Sequence, residues 1–228
     1  MILGIFGASG LGREVEIIAR KINNRDNRWE QIVYVDDNEA IKEVLGVPSY
    51  PFEKALEKFQ DIEMTIAIGE PRTREKIYNR IKDRGVKLVT LIHPGVYIDK
   101  SSTVGEGVTI CEGVTTTSGV RLEDNVYIQP HAVIGHDIHI GKHSVIGSNV
   151  EIGGANEIGE RVFIGFMVGT LQGLTIGDDV EISAGSIVFR DIEPGMIVMG
   201  NPARVIRRNE GHGVFSKPSK NEGGNAHE

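Results

Sequence analysis

Histidine is the side chain best placed to take a proton near neutral pH, and the chain holds seven: His93, His131, His136, His139, His143, His212 and His227. His136 differs from the others by its neighbours. It follows Gly135, two places after Ile134, and precedes Asp137, a carboxylate that could orient the imidazole and stabilise its protonated form. A second group suits an anion. In Gly7-Ala8-Ser9-Gly10-Leu11-Gly12-Arg13 the glycines let backbone amides at a helix start approach a phosphate closely. The spacing is not the dinucleotide fingerprint, and a plain strand-to-helix turn is the alternative. Asp36 and Asp37 close a second apolar run, where a parallel sheet can place a carboxylate for ribose hydroxyls or a base edge; two solvated loop carboxylates are the alternative. Gly69 ends a third run, and Arg72 and Arg74 follow it, either to neutralise a diphosphate or to sit on the surface at a helix start. Cys111 is the one cysteine, without zinc-site spacing, and reads as a small turn residue.

These residues must be held by two different architectures. Stepping by six from Ile98 to Val188 meets an aliphatic residue at fourteen of sixteen positions, with Thr116 and Thr170 as the exceptions. Glycine follows many of them (105, 135, 141, 147, 153, 159, 165, 177), and a second column two residues earlier carries Val108, Val114, Val120, Val126, Ile138, Val150 and Val162. A helix with a glycine in nearly every hexad would lose about 1 kcal/mol at each. The stretch is therefore expected to be β, a solenoid of short strands with the aliphatic ladder inside. Residues 1–92 lack the six-residue period. Ile2–Phe6, Ile32–Val35 and Thr65–Ile68 read as strands, and Leu11–Lys21 and Thr73–Arg84 as helices, which implies a small Rossmann-like βαβαβ unit.

Composition excludes several functions. At 228 residues, 39% hydrophobic and mean hydropathy −0.14, the chain is a core-forming globular protein. A net charge of −7, from 25 Lys and Arg against 32 Asp and Glu, argues against nucleic acid as a partner. With no apolar run of membrane-spanning length and no charged-then-apolar leader, a cytoplasmic location is expected. Residues 209–228 have almost no apolar content and read as a disordered tail.

Taken together, the Gly-Ala-Ser-Gly loop, the Asp36-Asp37 pair, Ile68-Gly69 before an arginine-containing helix, His93-Pro94 and the hexads with Gly135-His136-Asp137 resemble the NeuD/PglD-like bacterial sugar acetyltransferases. The resemblance implies a left-handed parallel β-helix of hexapeptide repeats, three hexads per triangular coil, so that residues 98–188 make five coils. It divides the chain into a nucleotide-sugar-binding α/β domain (1–92), a β-helix acyltransferase domain with a terminal cap (93–208) and the tail. It implies an acetyl-CoA-dependent N-acetyltransferase for the amino group of a UDP-, dTDP- or GDP-linked amino-dideoxy sugar, serving surface glycans such as lipopolysaccharide, without a metal and as a homotrimer. His136 would be the base and Asp137 its orienter. Gly154, one coil after His136, would leave room for the thioester and offer an amide to its oxyanion. Gly165, Phe166, Ala184 and Gly185 would line the pantetheine groove, and Gly7, Ser9, Gly10, Gly12, Asp36, Asp37, Gly69, Arg74 and Gln129 would hold the sugar nucleotide. The sequence departs from that pattern at Val145, where relatives often carry a further His, and at Gln129, where they commonly place Asn. His143 and His131 are left without a firm role. Alternatives are an O-acetyltransferase acting on sialic acid, a non-catalytic nucleotide-sugar scaffold, and a hexapeptide-repeat carbonic anhydrase, which would need three converging His ligands.

Overall fold

A computed structural model describes residues 1–210 and 214. The expected tail lies almost wholly outside the described residues; Asn209 is buried, its side-chain amide donating to Asp179 O at 3.2 Å.

The front third is a sheet flanked by helices. β1 (Ile2–Phe6) is followed by α1 (Gly10–Asp26), β2 (Gln31–Val35), the hairpin β3 (Glu43–Val44) and β4 (Val47–Tyr50), α2 (Phe52–Lys58), β5 (Ile62–Ile66), α3 (Pro71–Asp83) and β6 (Lys87–Leu88). The spatial order is β3-β4-β2-β1-β5-β6, and every pairing is parallel except β3 with β4. The third strand of the βαβαβ unit runs from Ile62 to Ile66, earlier than the apolar run Thr65–Ile68 suggests. Glu63 hides its start. This carboxylate is 2% exposed, accepts from Trp29 Nε1 at 2.7 Å and pairs with Arg28 at 2.8 Å and Lys87 at 3.1 Å. One hydrogen-bond donor and two nearby cations make a buried acid tolerable inside a strand.

From Leu91 onward the chain winds a three-sided, left-handed parallel β-helix. Up to the last coil, each two-residue strand pairs in parallel with the strand eighteen residues on, as in Thr115↔Val133↔Glu151↔Gly169↔Ile187. Two faces carry five strands each, and the third carries eight because Leu91–Ile92 and the closing hairpin Met196–Gly200 with Ala203–Arg208 extend it. The hexad aliphatics stack in one core, with Ile110, Ile128, Ile134, Ile140, Ile146 and Ile164 all at 0% exposure. Each buried Ile contributes on the order of 2 kcal/mol from surface removed from water.

The eight-stranded face is covered by the front domain. Its outward residues Tyr127 and Val145, with Cys111 at the adjoining edge, are buried in one apolar cluster with α1, β1 and β2. Burial pushes the Cys111 thiol up to about 11, so this cysteine is an inert packing residue. Val145 is likewise a packing residue, not a vacant catalytic position.

A polar bolt completes the junction. Arg74 on α3 is fully buried and donates through Nε and Nη2 to Asn125 O, through Nη2 to Asn125 Oδ1, and through Nη1 to Ile66 O and Ile68 O. All five guanidinium hydrogens are taken. The expectation that Arg74 holds a diphosphate is therefore corrected: it clamps α3 to the coil. Arg72, 2.8 Å from Asp179, does the same at the rim. Asn125 also meets His143 Nδ1 at 3.0 Å, and Tyr78 stands edge-on to that ring at 5.1 Å.

His143 is thus structural, and it makes the fold sensitive to acid. Burial, then the nearby Arg74, Arg161 and Lys142, lower its pKa from 6.5 to about 4. An unfolded chain takes up this proton as the pH falls through 6.5, whereas the native chain resists until about 4, so stability is lost across that window. The full effect is about 3 kcal/mol. Burial, then Lys21, also depresses His93, which adds in the same direction. The melting temperature is expected to fall between pH 7 and pH 5, and His143→Gln to flatten that slope; equal slopes for the two proteins would refute this origin.

Candidate functional site

Each coil turns at three edges, and the expected site residues divide among them. The edge between strands Val133–Ile134 and His139–Ile140 carries Gly135-His136-Asp137, above Gly153-Gly154-Ala155 of the next coil. Asp137 occupies the left-handed position of its turn, φ 55°, which directs its side chain back beside the preceding residue. His136 Nδ1 lies 2.9 Å from Asp137 Oδ2, and both side chains are exposed, at 58% and 71%. Because a carboxylate only accepts, the shared proton sits on Nδ1 and leaves the Nε2 lone pair free. The ring lies against Gly154: a Cβ built there would fall 2.5 Å from His136 Nε2. This seat exists only because residue 154 has no side chain. Gly154 N has no partner among the described residues.

Gln129, Gly165, Phe166, Ala184 and Gly185 lie on a different edge, between the face covered by the front domain and the face that ends at His136. Gln129 Oε1 accepts from Ser148 N at 3.1 Å, while Phe166 is 55% exposed. One chain therefore keeps the imidazole and these residues a full prism face apart. His131 shares the Gln129 edge and is exposed, and His143 lies on the third edge under α3, so neither joins His136.

In the front domain the expected anion-binding turn sits at the carboxyl ends of β1, β2 and β5. Gly12 is pressed on Gly7, where a Cβ would come within 2.1 Å of Gly7 O. Ser9 caps α1, yet its side chain makes no capping bond and the first turn holds no acid. The first amides of α1 and the Ser9 hydroxyl are thus left for a ligand. Gly10 is exposed beside them. The start of α3, beyond Gly69, is already filled: Glu70 accepts from Arg72 N at 3.1 Å and Thr73 N at 2.6 Å. A second anion there would meet a carboxylate, so of these two helix starts only that of α1 is open to one.

Asp36 Oδ2 accepts from Ala8 N at 3.0 Å and Oδ1 from Asn38 N at 2.9 Å, so this acid also shapes the turn. Asp37 pairs with Arg80 and accepts from Phe52 N at 3.3 Å. Burial alone would raise its pKa, but the Arg80 and Phe52 contacts hold it below the usual carboxylate range. Sequence reasoning did not find the Arg74–Asn125–His143 bolt or the role of Asn156, a buried amide beneath Gly154. Asn156 was visible as a polar break in the aliphatic column. Among the described residues no group of His, Cys, Asp and Glu is arranged to hold a metal ion, and no helix is long and apolar enough to cross a membrane.

Residues 3–81 match the PglD N-terminal domain, residues 119–154 the bacterial transferase hexapeptide (six repeats) and residues 155–190 the hexapeptide repeat of succinyl-transferase. The chain is 28% identical over 218 residues to the GDP-perosamine N-acetyltransferase of Escherichia coli O157:H7, covering 91% of this chain and 97% of that protein. It superposes on the acetyltransferase domain of PglB from Neisseria gonorrhoeae FA1090, solved with acetyl coenzyme A, with a TM-score of 0.83 and 28% identity over 90% of this chain and 98% of that one. PerB from Caulobacter crescentus, solved with CoA and GDP-perosamine, gives a TM-score of 0.82 and 29% identity over 90% and 97%.

Proposed function

We propose that this chain, which belongs to the PglD-like family of hexapeptide-repeat sugar acetyltransferases, moves an acetyl group from acetyl-CoA to the amine of a nucleotide-linked amino-dideoxy sugar. The observation that carries the reading is the His136–Asp137 pair seated on a side-chain-free Gly154 at a coil edge. The sugar amine attacks the thioester carbonyl while His136 Nε2 takes its proton and Asp137 steadies the resulting imidazolium. The Gly154 amide hydrogen faces the oxyanion of the tetrahedral intermediate. Collapse breaks the carbon–sulfur bond, and the proton passes from His136 to the departing thiolate. No acyl-enzyme forms.

The open start of α1 suits the diphosphate, with Gly7, Ser9, Gly10 and Gly12 as the cradle and Asp36, Asp37 and Gly69 along the rim. Gly165, Phe166, Ala184 and Gly185 suit the pantetheine arm. Because these lie a prism face away from His136 on the same chain, a homotrimer completes the site: packing about a three-fold axis sets one protomer's His136 edge against the neighbour's Phe166 edge. The similarity to a GDP-perosamine N-acetyltransferase supports a nucleotide-linked sugar as the acceptor, and a place for the product in surface glycans is part of the same proposal.

The test is thiol release from acetyl-CoA with UDP-, dTDP- and GDP-linked 4-amino sugars, beside the corresponding 4-hydroxy sugars and sialic acid. Turnover only with an amino sugar is expected. The accepted nucleotide sugar should also raise the melting temperature, since a ligand at a hundred times its dissociation constant stabilises the native state by about 2.7 kcal/mol. Turnover confined to hydroxyl acceptors, or none with any acceptor, would overturn the proposal.

A further inference from the structure

Along the His136 edge, the inward column that fills the prism reads Val120, Ile138, Asn156, Leu174 and Ile192. Asn156 is its one polar member and is 0% exposed. It sits in the coil directly below His136, two residues after Gly154. A primary amide in an aliphatic column costs stability unless both its NH2 group and its oxygen find partners. Here they do. Nδ2 donates to Gly153 O at 2.6 Å, to Leu171 O at 2.8 Å and to Thr170 Oγ1 at 3.0 Å, while Oδ1 accepts from Leu174 N at 2.7 Å.

We propose that Asn156 is a positioning residue for acetyl transfer, turning the Gly153–Gly154 peptide so that its amide hydrogen faces the reacting carbonyl beneath His136. The carbonyl of Gly153 and the N–H of Gly154 belong to one peptide plane, and in a trans peptide they point in opposite directions. Drawing Gly153 O toward the core therefore sends Gly154 N–H outward. That amide has no partner among the described residues. Gly135 keeps the space before it open, because a Cβ there would fall 2.7 Å from Gly154 N. The neighbouring coils carry Ile138 and Leu174 at the equivalent position, which cannot hold a carbonyl inward, so the device belongs to the coil that faces His136. The bond to Leu171 O acts in the same way on the Leu171–Gln172 peptide one coil further on.

The inference rests on the acetyltransferase reading above and deepens it. Two substitutions test it. Asn156→Leu restores the aliphatic column and removes both donors; Asn156→Asp keeps the shape and sets a carboxylate against two carbonyl oxygens. In each, kcat is expected to fall about 10²-fold, as when an oxyanion donor is lost, while KM for both substrates stays within about twofold and the pH dependence of kcat keeps its shape, since His136 is untouched. If the buried carboxylate prevents Asn156→Asp from folding, Asn156→Leu carries the test, with its melting temperature as the control for folding. A folded Asn156→Leu with kcat within twofold of the parent overturns the assignment. The orientation itself is read without turnover, from hydrogen exchange at the Gly154 amide. Exchange is expected to slow in Asn156→Leu as the plane turns inward, and an unchanged rate overturns the assignment even if no acceptor supports acetylation, an outcome that would by itself defeat only the acetyltransferase reading.

Discussion

His136→Ala is expected to lower kcat by about 10³-fold, the range a positioned general base supplies, with KM for acetyl-CoA and for the sugar nucleotide little changed. The side chain is 58% exposed, so its removal should change the stability of the fold by no more than about 0.5 kcal/mol, as for surface substitutions. Asp137→Asn separates orientation from proton uptake. An amide at 137 can still meet Nδ1 but no longer offsets the charge on the ring, so an intermediate loss of about tenfold to a hundredfold is expected. Single-turnover acetyl transfer checks both, because it reads the chemical step apart from product release. Near-parental transfer by His136→Ala would end the mechanism, and equal losses in the two variants would mean that Asp137 contributes more than alignment.

The coil was legible because its signal is carried by period alone. An inward residue recurring every six positions needs no knowledge of distant partners, and Ile134, Ile152 and Ile164 stack as the hexads imply. Gly154 needed more than the period: the eighteen-residue coil that places it under His136 came from the family resemblance, which gives three hexads to a turn. Positions whose meaning depends on a remote contact were not legible. Arg74 reads as a free cation until Asn125, fifty-one residues away, takes three of its hydrogen bonds. His143 reads as a corner histidine until α3 folds over it and Tyr78 meets its ring. Glu63 misplaced the third strand because burial among Trp29, Arg28 and Lys87 is invisible in a local hydropathy pattern. The short elements β3, β4 and α2 had no periodic signature long enough to read. Asn156 was a different case: the break in the column was on view, but which peptide it turns is a matter of three-dimensional geometry.

Gly154→Ala should give a folded protein that has lost about 10²-fold in kcat, because a displacement of about 1 Å at a reacting group is enough for such a loss. A Cβ at this position would lie 2.5 Å from His136 Nε2, 2.7 Å from Cε1 and 2.8 Å from Cδ2, so the imidazole cannot stay where it is. The ring is at the surface and free to swing outward, which relieves the clash without unfolding the coil but carries Nε2 away from the Gly154 amide. Gly46→Ala provides the contrast. That glycine has φ +83° with open space around it, so alanine should cost stability, on the order of 1 kcal/mol, and leave turnover intact. The two substitutions thus separate loss of a seat for the base from loss of a backbone conformation. The decisive comparison is kcat against melting temperature for both proteins. A Gly154→Ala enzyme with parental kcat would show that the imidazole need not rest on residue 154 to act, and the arrangement of base over amide would have to be abandoned.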